Sequence, residues 1–204
     1  MDYGYGTGTF VRTVNSLIKF EKVIGLDLWK DAISICNEMN KDNHNVEFYS
    51  TSDYEKDFNF DCIVSLEVLE HIPNPEETVK YFKNNLRDGG ILFLSVPNYN
   101  SFEQRVFKSN WRLWCPPEHI NYFTIKSLSK LLVKNGFKIE FSETKFVYSF
   151  SFGIREKVKS RVIVKILTQI KKYIYYKIPN IILKLIGYQG GKLILIAKKT
   201  NERI

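Results

Sequence analysis

Short apolar runs alternate with stretches of helical period along most of this chain. Phe10, Val11, Val14, Leu17 and Ile18 recur at spacings of three and four, which predicts an amphipathic helix over residues 10–20. Val23-Ile24-Gly25-Leu26 is a compact apolar run closed by Asp27, and it reads as a buried strand. Ala32, Ile33, Cys36 and Met39 mark a second helix, and Val46 to Tyr49 a short strand. Asp61-Cys62-Ile63-Val64-Ser65 is another buried strand. Asn74-Pro75-Glu76-Glu77 combines a capping residue, a first-turn proline and an acidic residue three positions past the cap, the signature of a helix start. That helix is predicted to run through Val79, Phe82 and Leu86 and to stop at Asp88-Gly89-Gly90. Ile91 to Val96 then forms a strand closed by Pro97.

Strand and helix therefore alternate from Phe10 to Val96, a pattern that gives a parallel sheet with helices on both faces. Further on, Thr124 to Asn135 is a helix stopped by Gly136, Phe137 to Phe141 a strand, and Leu193 to Ala197 a final strand. Residues 155–178 read as a basic amphipathic helix: Ile163, Ile166, Leu167, Ile170 and Ile174 share one face, and Arg161, Lys165 and Lys172 another.

Composition adds two constraints. Three cysteines with no C-x-x-C spacing argue against a disulfide framework or zinc site and fit a reducing, cytoplasmic setting. No leader pattern opens the chain, and no apolar run approaches the ~18 residues of a spanning helix. The formal net charge of +8 is uneven: residues 153–204 hold 13 Lys and Arg against two Glu, whereas the first 152 are mildly acidic. Such asymmetry suggests an anionic partner for the tail, a lipid surface before a nucleic acid.

The candidate chemistry lies at the carboxyl ends of the predicted strands, where parallel sheets bind ligands. Asp2-Tyr3-Gly4-Tyr5-Gly6-Thr7-Gly8 places three glycines at alternate positions ahead of a helix. Such a turn lets a ligand lie against bare backbone beside unpaired helix N–H groups. Asp27, Asp53 and Glu67 each fall just past a strand and should line the same edge. In Glu67-x-x-Glu70-His71, spacings of three and four would set Glu67 beside Glu70 and His71 on one helical face. With His119 they make a ligand set for a divalent metal. The two histidines serve equally as acid–base groups, as positioning groups or as structural residues. Trp111, Trp114, Pro116, Pro117 and Tyr122 form an aromatic stretch that suits a ring-containing acceptor, and Tyr148 to Phe152 extend it.

In order and spacing, DYGYGTGTF, VIGLD, FDCIVSLEVLEHIPNP, LRDGGILFLSVPN and PPEHINYFTIKSLSKLLVKNGFKI resemble the class I S-adenosylmethionine-dependent methyltransferases. The group is the broad one holding ubiquinone-type O-methyltransferases and surface-glycan enzymes. The resemblance implies a Rossmann-like, doubly wound α/β fold with a mostly parallel seven-stranded sheet, Leu193–Ala197 being its antiparallel last strand. It implies that Asp2, Gly4, Gly6 and Gly8 meet the amino-acid end of S-adenosylmethionine and that Asp27, followed by Leu28, takes the ribose. Asp53 and Tyr54 would flank the adenine, and Leu66 and Glu67 would line the cleft. Relatives with a Glu-x-x-Glu-His motif place a metal such as Mg on it, which here means Glu67, Glu70, His71 and His119.

The family has an apolar strand ahead of the Asp2 position, where this sequence has only Met1. A first strand lacking from mid-sheet, and a start upstream of Met1, are therefore expected. The expected organisation is one domain: a cofactor half at 1–100, an acceptor or lid region at 101–152, a basic helical insert at 153–186 and a last strand at 187–204. The expected reaction is methyl transfer to a hydroxyl of a small-molecule or lipid- or glycan-linked acceptor, at the inner face of a membrane held through residues 155–178. A non-catalytic cofactor-binding scaffold and an RNA 2′-O-methyltransferase are the alternatives, although no RNA-binding module is evident.

Overall fold

A computed structural model describes residues 1–54, 59–146, 181, 184, 185 and 187–201. The basic helix expected at 155–178, the aromatic extension at 148–152 and most of the 153–186 insert lie outside the described residues.

The strands β1 (Asp2–Tyr3), β2 (Val23–Asp27), β3 (Val46–Ser50), β4 (Phe60–Leu66), β5 (Leu86–Pro97), β6 (Phe137–Lys145) and β7 (Lys192–Lys199) form one sheet in the order β3-β2-β1-β4-β5-β7-β6. The first five are mutually parallel, and β7 runs antiparallel to both β5 and β6. The order reverses between β1 and β4, so the crevice for a ligand opens where those two strands end. The helices are α1 (Thr9–Leu17), α2 (Lys30–Met39), α3 (Pro75–Asn85), α4 (Phe102–Phe107) and α5 (Ile125–Lys134).

Local chemistry sets most boundaries. Glu77 N–H donates to the Asn74 side chain, and Pro75 fills the first helical position, as the capping pattern predicts. Thr124 and Ser127 make a reciprocal capping box at α5. One boundary differs: α3 stops at Asn85, and Leu86 opens β5 opposite Phe60. Leu86 is apolar at a helical spacing, yet its buried place in the ladder decides. The helix α4 was not predicted, because Phe102–Phe107 has too few apolar positions to show a period.

The strand β1 is two residues long between neighbours of five and seven. Asp2 lies opposite both Gly25 and Val64, so the carboxyl end of the mid-sheet position is filled. The first strand expected to be lacking is therefore present, as β1.

Two apolar clusters carry the sheet. The larger packs Val79, Phe82, Leu128 and Leu132 from α3 and α5 against β4, β5 and β7. The smaller joins Tyr5, Val11, Ala32, Cys36, Val46 and Phe48. Gly25 in β2 makes room for it. A Cβ at that position would come within 2.5 Å of the Phe48 ring and 2.9 Å of the Tyr5 ring. Gly25→Ala should therefore cost about 1–3 kcal/mol through overpacking, and thermal denaturation should show a melting point lower by roughly 3–10 °C.

Candidate active site

The loop after β1 is built by its glycines. Gly4, Gly6 and Gly8 have φ of 83°, 53° and 68°, values that side chains disfavour. Gly4 N–H donates to Leu26 O (2.7 Å), which ties the loop to the end of β2. A Cβ on Gly4 would sit 2.2 Å from Val68 Cγ2, so the loop also touches the segment leaving β4. Around Gly6 a Cβ would meet nothing within 4 Å, leaving bare backbone next to open space.

Asp27 closes β2 and holds the loop. Its Oδ2 accepts from Gly6 N–H (2.8 Å) and its Oδ1 from Trp29 N–H (3.0 Å). A carboxylate has about four acceptor sites, so roughly two stay available for a vicinal diol. Asp2 is only 4% exposed, and burial, with a further push from Asp27, raises its carboxyl to about 7. Tyr5, between the glycines, packs in the smaller apolar cluster with its ring centroid 4.7 Å from Phe48. Leu28 and Trp29 stand exposed just past Asp27.

Asp53 and Tyr54 follow β3 at the same edge. Hydrogen bonds from the Ser52 hydroxyl and the Lys30 ammonium hold the Asp53 carboxyl below its ordinary range. The Tyr54 ring packs on Tyr49, and burial pushes its phenol up to about 12.

Past β4 the structure departs from the expected helical face. Glu67 has φ of 56°, a left-handed conformation rare for a non-glycine residue, and the only turn that follows is a 3₁₀ turn over Leu69–His71. Glu67 therefore does not join Glu70 and His71. Its Oε1 accepts from Ser95 Oγ (2.6 Å) and faces Lys192 Nζ (3.4 Å). The metal set read from sequence is corrected accordingly: the ligand atoms of Glu70, His71 and His119 lie within 4.8 Å of one another, and Glu67 is not part of that group.

The backbone explains how His119, distant in sequence, reaches this cluster. Ile120 N–H and Asn121 N–H both donate to Glu70 O (2.9 and 3.0 Å), and Asn121 Nδ2 donates to Ile72 O (2.6 Å). The loop after β5 is thus stitched onto the turn after β4. His71 Nδ1 donates to Glu118 O (2.8 Å), and His119 Nδ1 donates to Leu113 O (2.9 Å). A carbonyl only accepts, so each ring carries its proton on Nδ1 and, when neutral, keeps a lone pair on Nε2. The Glu70 side chain is 1% exposed with no hydrogen-bond partner on either oxygen. Burial, reinforced by the nearby Glu67 charge, raises its carboxyl to about 8.

The aromatic stretch divides. Trp111 is buried, whereas Trp114 stacks on Tyr122 with centroids 4.6 Å apart, and Tyr99 lies 5.6 Å from Tyr122. Tyr99, Ser95 and Lys192 were missed from sequence. Lys192 reaches Glu67 because β7 returns antiparallel, with Lys192 opposite Pro97, a juxtaposition that only the topology reveals.

A family model described as a methyltransferase domain matches residues 1–140. The mitochondrial ubiquinone biosynthesis O-methyltransferase of Dictyostelium discoideum is 32% identical over 112 residues, covering 48% of this chain and 35% of that protein. The ubiquinone biosynthesis O-methyltransferase of Glaesserella parasuis is 32% identical over 110 residues, covering 48% of this chain and 44% of that protein. The matched stretch thus spans less than half the length of these curated relatives. Among solved structures, an S-adenosylmethionine-dependent methyltransferase from Mesorhizobium loti superposes with a TM-score of 0.65 at 14% identity, covering 97% of this chain and 89% of that one.

Proposed function

This chain belongs to the S-adenosylmethionine-dependent methyltransferase family, and on that premise we propose that it transfers the cofactor's methyl group to a hydroxyl oxygen of a small-molecule or lipid- or glycan-linked acceptor. One observation carries the reading. The glycine loop with Asp27, suited to a nucleoside, abuts through Gly4 and Val68 the segment bearing Glu70, His71 and His119. Cofactor and acceptor groups thus share one crevice.

Methyl transfer from a sulfonium needs alignment above all. The acceptor oxygen attacks the methyl carbon, the carbon–sulfur bond breaks, and its electron pair leaves on sulfur. The hydroxyl proton must go elsewhere, and Nε2 of His71 or His119 has the lone pair to take it, because each Nδ1 proton is given to a carbonyl. Trp114, Tyr122 and Tyr99 offer a cluster of aromatic surface to a ring.

The cluster also fits a divalent cation. Glu70 brings a buried carboxylate without a hydrogen-bond partner, and the anchored Nδ1 atoms are the outer-shell support that metal-bound histidines use. Glu70, His71 and His119 would hold it, and such an ion, when bound, lowers the pKa of an adjacent hydroxyl. Magnesium or manganese titrated into the protein at pH 8 should raise its melting point, and Glu70→Gln should abolish the rise.

Asp2 gives the cofactor site a pH dependence. Its carboxyl is raised from 3.8 to about 7, so the folded chain keeps a proton that the unfolded chain releases. Its contribution to stability is therefore full below about pH 4 and fades as pH climbs to about 7. Ionised Asp2 favours the cofactor's amino group, so affinity for S-adenosylhomocysteine should rise as pH passes through about 7. Calorimetry at pH 6 and 8 checks this, and Asp2→Asn should flatten the profile.

Attachment to an anionic membrane surface belongs to the same proposal. It is supported by the 13 basic against two acidic residues in 153–204. Among the described residues, no helix is long and apolar enough to cross a membrane.

A further inference from the structure

Lys192 stands at the crevice, and the methyl-transfer chemistry above gives it no task. It opens β7 opposite Pro97, at the carboxyl end of β5, and so reaches the edge where Asp27 and Glu67 lie. Facing residues of paired strands project to the same side. Lys192 therefore shares a face with Pro97 and with Ser95, two positions back along β5. Its backbone is fixed on both sides. On one side the β5–β7 ladder holds it. On the other, Asn98 N–H donates to Gly191 O (2.9 Å), Asn98 Nδ2 to Gly190 O (2.9 Å) and Phe102 N–H to Gln189 O (2.9 Å). The lysine thus rises from a rigid support.

Its ammonium is held by charge, and its hydrogen bonds are left over. Nζ lies 3.4 Å from Glu67 Oε1 but makes no hydrogen bond to it, and that oxygen already accepts from Ser95 Oγ (2.6 Å). Among the described residues, no other group accepts from Nζ. An ammonium has three protons to donate. The side chain is 35% exposed, so these protons are open to the crevice. The charge acts on Glu70 as well as on Glu67. Lys30, on the far side of the nucleoside loop, is by contrast committed to Asp53 (3.3 Å).

The cofactor makes this lysine informative. Its sulfonium is a cation, and an ammonium in the same crevice opposes its entry. Glu67 offsets part of that repulsion and leaves the ammonium's donors unused. An anion that arrives with the second substrate would use them.

We propose that Lys192 is a specificity residue for the acceptor, and that the acceptor carries an anionic group, a carboxylate or a phosphate, which Lys192 binds while the acceptor hydroxyl lies at the histidine pair. The inference rests on the methyltransferase reading and adds to it the charge of the acceptor. Glu70 relates the two ends of the molecule. It interacts electrostatically with Lys192, and its ligand oxygen lies within 4.8 Å of the ligand nitrogens of His71 and His119. Anion and hydroxyl therefore fall within the span of one small ring-bearing compound. Charge-assisted hydrogen bonds from Lys192 hold the anion, and Glu67 and Ser95 fix where the ammonium waits.

The test uses the whole chain with S-adenosylhomocysteine present. 3-Hydroxybenzoate, 3-hydroxyphenyl phosphate and the neutral 3-hydroxybenzamide are titrated by calorimetry, and the tighter of the two anions tells carboxylate from phosphate. At least one anion should bind about tenfold more tightly than the amide. Lys192→Met should bring the anions to within about twofold of the amide and leave the amide's own Kd unchanged, whereas Lys192→Arg should keep the preference. Equal affinity of anions and amide for the unaltered protein overturns the proposal, as does binding of neither anion, or a preference that survives in Lys192→Met. The first two comparisons need no variant to fold. Methyl transfer is then measured on the same three compounds with S-adenosylmethionine. A Lys192-dependent anion preference supports the inference even where no methyl is transferred, and that absence would count against the methyl-transfer reading alone. Transfer to the amide with a kcat/KM equal to that of both anions overturns the inference and leaves the reading standing.

Discussion

Replacing Asp27 by alanine is expected to weaken binding of S-adenosylhomocysteine by roughly a hundredfold to ten-thousandfold. The carboxylate has acceptor capacity beyond the Gly6 and Trp29 amides. Two charge-assisted hydrogen bonds to a ribose diol, at about 1.5–3 kcal/mol each, account for a loss of this size. The variant also frees Gly6 N–H and so loosens the loop that should receive the amino-acid end. Asp27→Asn keeps one acceptor oxygen and should fall between the two. Isothermal calorimetry reads the affinity. Circular dichroism melts should show the variant folded, since most of the larger apolar cluster is remote from this residue.

The second large effect concerns turnover. His71→Ala and His119→Ala should each lower kcat by about 10²–10⁴ on a hydroxyl acceptor found by screening catechols, phenols and sugars. The affinity for S-adenosylhomocysteine should stay within about twofold, because neither ring contributes to the loop or to Asp27. The double variant should fall short of the product of the two single losses. The rings are 4.7 Å apart and share one task, and groups acting as a unit are not additive. A drop confined to KM would instead mark them as acceptor-binding walls.

Much of this arrangement was legible in the chain. Positions that need a special backbone declare themselves: the three alternate glycines, the Asn74-Pro75 start of α3 and the Thr124 cap of α5 stand where the sequence places them. Strands in the middle of the sheet read as apolar runs, and β2, β4 and β5 were found that way. What stayed hidden depends on tertiary contact. Glu67 leaves the expected helical face because Ser95 and Lys192, from two other strands, hold its carboxylate. Tyr5 could have crowded the cofactor from its sequence position. Its burial against Phe48 depends on the space that Gly25 leaves. His119 joins His71 only because two backbone amides of its loop find the Glu70 carbonyl. No local period or spacing encodes that meeting.

The most direct measurement is a crystal of the protein grown with S-adenosylhomocysteine. The account predicts the ribose hydroxyls within hydrogen-bond distance of the Asp27 carboxylate, the amino-acid end against Gly4 to Gly8, and the sulfur facing the histidine pair. A nucleoside seated elsewhere, or no binding at Asp27 at saturating ligand, would contradict it.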